Sequence, residues 1–361
     1  MDLHDLQPAA RVTIDSLRAF GIEAFRQAGL TAKGAETIVE VQLESNLRGQ
    51  ATHHMGDVPG YARRLQTGQM NRDPAFRWTR ESAVNALLNA DNAPGQWSGV
   101  VAMRRAIELA KTSGIGMVGV HHSNHFGAAG HYAWLATQAG LIGLSTTNGG
   151  LVIAPTGGSS PRLGNDPVGV GIPAAGRLPI VLDIAMSVVA QGKIGLAQME
   201  GQSIPLGWSL DKDGQPTTDP RSALDGSGLP IAGHKGYGLA MVMETLAGVL
   251  TTAGFALDHD RETIRGGQRQ HNMGHFLLAI DPSLFMPLDV FTARVDRLIG
   301  DMKSSERIAG TKEILVPGEM EMRARRDNLA AGSVPLLPST LKRLVDYQQE
   351  AGLASELKQV V

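Results

Sequence analysis

Gly114-Ile115-Gly116-Met117-Val118-Gly119 runs directly into Val120-His121-His122-Ser123-Asn124-His125-Phe126-Gly127-Ala128-Ala129-Gly130. The first six residues spell G-x-G-x-x-G, but their surroundings are reversed. A dinucleotide-binding loop of that spelling follows a strand and opens a helix, so that the helix N-terminus faces the pyrophosphate. Here the amphipathic pattern of 99–112 precedes the glycines and the apolar run 117–121 follows them, so Gly114 reads as the residue that closes a helix. The polar cluster at 121–125 then sits between the end of a strand and a helix over 128–138, where ligands meet α/β sheets. If this chain binds a nicotinamide dinucleotide, it does so without a Rossmann loop.

Outward from this stretch, 83–88, 141–146, 168–172, 178–182 and 275–280 read as further strands. A helix is expected over 187–199, with Ser187 as its N-cap. The ends are helical, over 12–30, 33–47 and 59–65 on one side and 288–302 and 338–349 on the other. The pattern implies an α/β (α+β) protein with a central mixed-sheet domain (81–283). A helical domain (1–80) is completed by the C-terminal helices (284–361). The longest apolar run, 236–255, is interrupted by Glu244 and preceded by Lys235. A carboxylate at mid-bilayer is costly, so this run reads as a buried core helix. Met1–Ala9 lacks a basic stretch followed by an apolar one, so no signal peptide is expected and the cytoplasm is the expected location.

Composition narrows the chemistry. Among 361 residues, 33 Lys and Arg face 35 Asp and Glu, a net charge of −2 that argues against nucleic acid or an anionic membrane as partner. With no cysteine, disulfides, thiolate nucleophiles and Cys-ligated metals are excluded. The 44 glycines show no collagen period and point to many close backbone approaches.

Four segments carry candidate chemistry. Arg48-Gly49-Gln50-Ala51-Thr52-His53-His54 offers a guanidinium fork for a carboxylate and an imidazole that titrates near neutrality. His121, His122 and His125 read either as turn residues or as acid/base groups. A metal site built from the three, and with it a metal-dependent hydrolase or lyase, would need a carboxylate, and none is near in sequence. His234-Lys235 opens a helix and makes a seat for phosphate, or a polar cap. Asp183 through Ser187 stands at another helix start, where Asp183 accepts from ribose hydroxyls or caps the helix.

Together these strings resemble the malate/L-lactate dehydrogenase family of the non-Rossmann type. That family includes sulfolactate, ureidoglycolate and diketogulonate oxidoreductases and cyclic-imine carboxylate reductases. The resemblance runs through 48–61, Ser123–Gly130, Ala154-Pro155-Thr156-Gly157-Gly158, 164–167, 183–193, 204–220, 234–250, 272–276 and Pro317-Gly318-Glu319. It implies an NAD- or NADP-dependent oxidoreductase of 2-hydroxy/2-oxo acids, acting on a small molecule as a homodimer, with a non-Rossmann cofactor domain. Reduction of a cyclic imine carboxylate, or cofactor binding without catalysis, are the alternatives. By resemblance His53 is the proton donor or acceptor, oriented by Thr52, with His125 a second acid/base group and Arg48 a substrate anchor. Cofactor contacts carry over to Asp183, Ala185, Ser187, His234, Lys235, Pro317, Gly318 and Glu319, and no metal is implied. Two departures stand out. Asp57 occupies the place of an Arg usual in the family, where a carboxylate repels an anion at about 4 Å by about 4 kcal/mol. Gly164-Asn165-Asp166-Pro167 replaces the commoner Gly-Thr-Asn-Pro.

Overall fold

Gly114 closes the helix Gly95–Ser113 in the left-handed conformation (φ +84°), its N–H reaching Ala110 O at 2.7 Å, and the strand Ile115–Ser123 begins at the next residue. This computed structural model describes residues 10–259, 263–265 and 268–360. The reading of Met1–Ala9 lies outside them.

The strand joins a seven-stranded mixed sheet. Its spatial order is Arg77–Glu81, Asn85–Asn89, Ile115–Ser123, Met273–Ile280, Ile142–Thr147, Val168–Ile172, Ile180–Ile184. Asn85–Asn89 runs parallel to Ile115–Ser123, and every other neighbouring pair is antiparallel. A doubly wound Rossmann sheet is parallel throughout its nucleotide-binding half, so this topology excludes one. The helices Gly95–Ser113 and Ala129–Thr137 cover one face. Their backbones lie so close that a Cβ on Gly116 or Gly171 would overlap the carbonyl of Ala106 or Ala133. The opposite face carries the segment after Glu244, with Thr251 against Gly119. Much of the glycine excess therefore serves helix-on-sheet contact.

The two ends of the chain share a core. Val12, Leu17, Phe20, Phe25, Leu43 and Leu65 pack with Val334, Leu344 and Tyr347. Ala10–Thr13 lies antiparallel between Ser333–Leu336 and Gln359–Val360. Glu319–Ala331 joins this end and packs on Ala32–Leu47, whereas Leu288–Lys303 lies beside Gly140 and Gly176 of the central region.

Two expectations are corrected. The helix placed over 187–199 begins only at Gln191; Ser187 does not cap it, but bridges to Pro230. The apolar run 236–255 is no buried core helix. Its regular part is His234–Glu244, followed by a π-turn over Thr245–Val249, and Leu239, Met241, Val242 and Leu250 are each about half exposed. Only the side bearing Ala240, Met243, Glu244 and Ala247 is buried. Hydropathy alone does not distinguish a face buried in the fold from one left bare. No helix among the described residues is long and apolar enough to cross a membrane.

Candidate active site

The helix Ala32–Leu47 ends at Arg48, and the chain turns through Gly49 (φ +70°) into a loop held from behind. Gln50 N–H donates to Ser45 O at 2.9 Å, and Met55 N–H donates to Asn46 Oδ1 at 2.9 Å. Two adjacent histidines in this loop divide their duties. His54 Nδ1 accepts from Gly56 N–H at 2.9 Å and caps the turn Met55–Asp57, so it is structural. His53, forced to φ +64°, points the other way and stacks on His125 with centroids 5.1 Å apart and planes 20° from parallel.

Each imidazole of this pair is held at Nδ1 by a hydroxyl. Thr52 Oγ1 lies 2.9 Å from His53 Nδ1, and the Tyr61 hydroxyl, from helix Val58–Gln66, contacts His125 Nδ1. That arrangement leaves Nε2 of both rings for a ligand. Burial pulls the pKa of His53 down, with His54 adding to the drop and Asp57 opposing it. Burial also takes His125 to about 3, helped by His53, Arg64 and His275. Both rings are therefore neutral at physiological pH, and a base is ready without prior deprotonation. His125 borders a cavity of about 460 Å³ whose lining also includes Tyr61, Asp57, Arg64 and Arg343, and His53 is the ring stacked on it.

Behind His125 runs a buried polar chain that sequence reasoning missed. His275 is fully buried, its Nε2 2.7 Å from Ser123 Oγ and its Nδ1 2.7 Å from Thr147 Oγ1, and Ser98 Oγ extends the chain 2.7 Å from Ser123. Its ring stacks on Phe126, centroids 4.7 Å apart. Burial drives its pKa to about 3, and with both nitrogens occupied it braces the strand end that presents His125. The available signal was a lone His in an otherwise apolar strand; its partners, two hydroxyls on neighbouring strands, became visible only with the register.

Arg48 does not join the imidazoles. It lines a second cavity, about 180 Å³, with Gln50, Asp183, Pro317, Gly318 and Glu321. Arg48 and Arg325 both lie over the Trp134 ring, at 4.7 and 4.8 Å, and Glu44 pairs with each, at 3.5 and 2.8 Å. Asp183 meets the Gly130 N–H at the start of helix Ala129–Thr137. Burial raises its pKa to about 6 against the opposing pull of Gly130, Arg48 and Gln50. Arg48 Nη2, Gln50 Oε1 and the hydroxyl of Ser187 are buried without a hydrogen-bond partner. Orphaned donors and acceptors of this kind are rare unless a ligand completes them. They are the groups that sugar hydroxyls and phosphates satisfy, and since Arg48 and Gln50 line the cavity, it fits part of a dinucleotide.

The remaining predicted contacts divide. Ala185 lies half-buried between Asp183 and Ser187, while His234 and Lys235 are exposed at a helix start that no side chain caps. Glu319 is not presented to the cavity: Lys303 Nζ at 2.6 Å, Arg323 Nη2 at 2.5 Å and Val316 N–H at 3.2 Å occupy its carboxylate. His121 and His122 pair with each other, Nδ1 to Nδ1 at 2.5 Å. They do not join His125 in a ligand set, since no cluster of three or more His, Cys, Asp or Glu suited to a metal occurs among the described residues.

A model of the malate/L-lactate dehydrogenase family matches residues 12–345. The chain belongs to that family. L-Sulfolactate dehydrogenase of Methanothermobacter thermautotrophicus is 37% identical over 331 residues, 91% of this chain and 93% of that protein. The malate dehydrogenase structure from Entamoeba histolytica superposes with TM-score 0.89 at 28% identity, covering 96% of this chain and 99% of that one. The Δ1-piperideine-2-carboxylate reductase from Pseudomonas syringae pvar. tomato gives TM-score 0.83 at 28% identity, covering 93% and 99%. The expected fold class, α/β with a mixed central sheet, therefore holds.

Proposed function

We propose that this member of a family of NAD(P)-dependent oxidoreductases transfers a hydride between nicotinamide and a 2-hydroxy/2-oxo acid, with His53 moving the proton. The observation that carries the reading is the stacked His53–His125 pair beside a cavity, joined by two short segments to the cavity of orphaned polar groups. Residues 48–53 link Arg48 and Gln50 to His53, and 125–130 link His125 to Gly130, the partner of Asp183. Five residues reach at most about 18 Å, so the two cavities are within the length of one dinucleotide. NAD or NADP, when bound, supplies the hydride acceptor or donor. Arg48, Gln50, Asp183, Ser187 and the backbone at Gly318 would hold it, with His234 and Lys235 offering a phosphate seat at their helix start.

His53 then acts on the substrate oxygen. Thr52 orients its ring at Nδ1, and the lowered pKa keeps the imidazole neutral and available as the base for alcohol oxidation. Because burial places that pKa below 6.5, kcat/KM for oxidation is expected to stay level as pH falls to about 6.5 and to decline only below it. A profile that breaks above neutrality would assign the proton elsewhere. The reaction class itself is tested by screening 2-oxo acids and cyclic imine carboxylates with NADH and NADPH. The likeness to a piperideine-carboxylate reductase keeps C=N reduction as the second reading, and preferential turnover of imines would select it.

The bare apolar side of helix His234–Glu244 supports a homodimer, with Leu239 and Val242 covered by a second copy. Since His234 and Lys235 begin that helix, the cofactor site would then border the interface. Light scattering is expected to give a dimer, and Val242→Glu a monomer with weakened cofactor binding; a monomeric native protein would contradict this. In this reading the enzyme works in the cytoplasm, where soluble nicotinamide dinucleotides are held.

A further inference from the structure

Three guanidinium groups, of Arg63, Arg64 and Arg343, line the cavity beside His125. They are not equivalent. Arg63 pairs with Glu350 at 2.6 Å and lies over the Tyr347 ring. Arg343 faces Asp57 at 3.9 Å, so those two charges largely offset each other. Arg64 has no carboxylate partner among the described residues, and its side-chain bond to Asn124 is a long one, 3.5 Å from Nη2 to Oδ1.

Asn124 cannot turn to improve on that contact. Its Nδ2 donates to Asn92 O, Asn92 Oδ1 and Ala93 O at 3.1, 2.9 and 3.0 Å, which fixes the carbonyl end toward Arg64. Asn124 also immediately precedes His125, so the guanidinium is positioned from the same strand end as the imidazole. A half-buried cation without a counter-charge is costly unless an anion completes it. Its planar fork suits a carboxylate.

We propose that Arg64 anchors the carboxylate of the substrate, and that the site takes a monoanionic 2-oxo or 2-hydroxy acid. This rests on the hydride-transfer reading above. Once the Arg63–Glu350 and Asp57–Arg343 pairs are set aside, one positive charge remains for the ligand. A second anionic group would meet the Asp57–Arg343 pair, which offers it no net positive charge.

The test is steady-state kinetics and cofactor titration on the native protein and on Arg64→Gln, Arg64→Lys and Asp57→Asn. Pyruvate and 2-oxobutyrate serve as monoanions and oxaloacetate as the dianion. Arg64→Gln is expected to raise KM for the monoanions by about 100-fold, because it removes one partner of a desolvated charge pair. Arg64→Lys should recover part of that loss, and NADH affinity should stay within about twofold in both variants, which also reports that they fold. Asp57→Asn should lower KM for oxaloacetate by about tenfold, because it leaves Arg343 without its partner and free to meet the second carboxylate. A native protein that turns over but prefers oxaloacetate, or an Arg64→Gln variant whose KM moves less than about threefold, overturns the inference alone. Failure of the native protein to bind either nicotinamide cofactor overturns the parent reading, and this one with it.

Discussion

His53→Ala is expected to lower turnover by about 10²–10⁴-fold, the range for loss of a general acid/base, with NADH affinity nearly unchanged. The split follows from the geometry. His53 stacks on His125, which lines the cavity assigned to the substrate, while the orphaned groups assigned to the cofactor sit at Arg48, Gln50 and Ser187. Thr52→Val is expected to cost about tenfold in kcat, roughly the 1.4 kcal/mol net value of one hydrogen bond, by freeing the orientation of the ring held at Nδ1. His125→Ala serves as the control. Its imidazole is bound to Tyr61 and lies deeper in pKa, so it stays neutral throughout the working range and contributes shape and a hydrogen bond. If His125→Ala abolishes turnover while His53→Ala leaves it near normal, the proton belongs to His125.

The second large effect is on stability. Asp166 is fully buried and faces Glu244, and burial together with that second carboxyl pushes its pKa well above 3.8. Glu244 is raised as well, chiefly by burial, and its Oε1 accepts from Ala256 N–H at 2.6 Å. The native pair holds a proton that the unfolded chain releases above the ordinary carboxyl range. Stability from this pair is thus fully present below about pH 4 and is lost as pH rises toward the native pKa. Asp166→Asn keeps a donor for Glu244 and removes the titration. It is expected to stabilise the protein at alkaline pH and to flatten the fall in stability as pH rises above the ordinary carboxyl range. Thermal melts across that rise check it, and an Asn variant with an unchanged slope would show that the pair shares no proton.

Much of the site was legible because it lies where short polar strings interrupt apolar periodicity. The reversed context of Gly114 identified the end of a helix, and the strand–helix junction at His125 followed from it. Asp183, Pro317 and Gly318, far apart in sequence, do line one cavity with Arg48. Arg48 was legible as functional but not as belonging to that cavity, because a guanidinium at a helix end suits a substrate carboxylate and a phosphate equally. Glu319 carries the same lesson in reverse: Lys303 and Arg323 claim its carboxylate, a pairing set by tertiary packing. Helix Glu319–Ala331, with its charge-rich sequence and only Glu319, Met322 and Asn328 buried, leaves no apolar stripe to read. The run 236–255 misled for the opposite cause, since apolar residues on a bare face carry the same hydropathy as those in a core.

The most direct test of the proposal that one cavity takes a dinucleotide and the other its substrate is titration of the native protein with NADH and with NADPH. Trp134 lies beneath Arg48, which lines the first of these, so its fluorescence is expected to respond to a ligand on that guanidinium. At least one of the two nucleotides is expected to quench it saturably and to raise the melting temperature, with the quench mostly lost in Trp134→Phe. An emission and a melting point indifferent to saturating amounts of both would contradict the account.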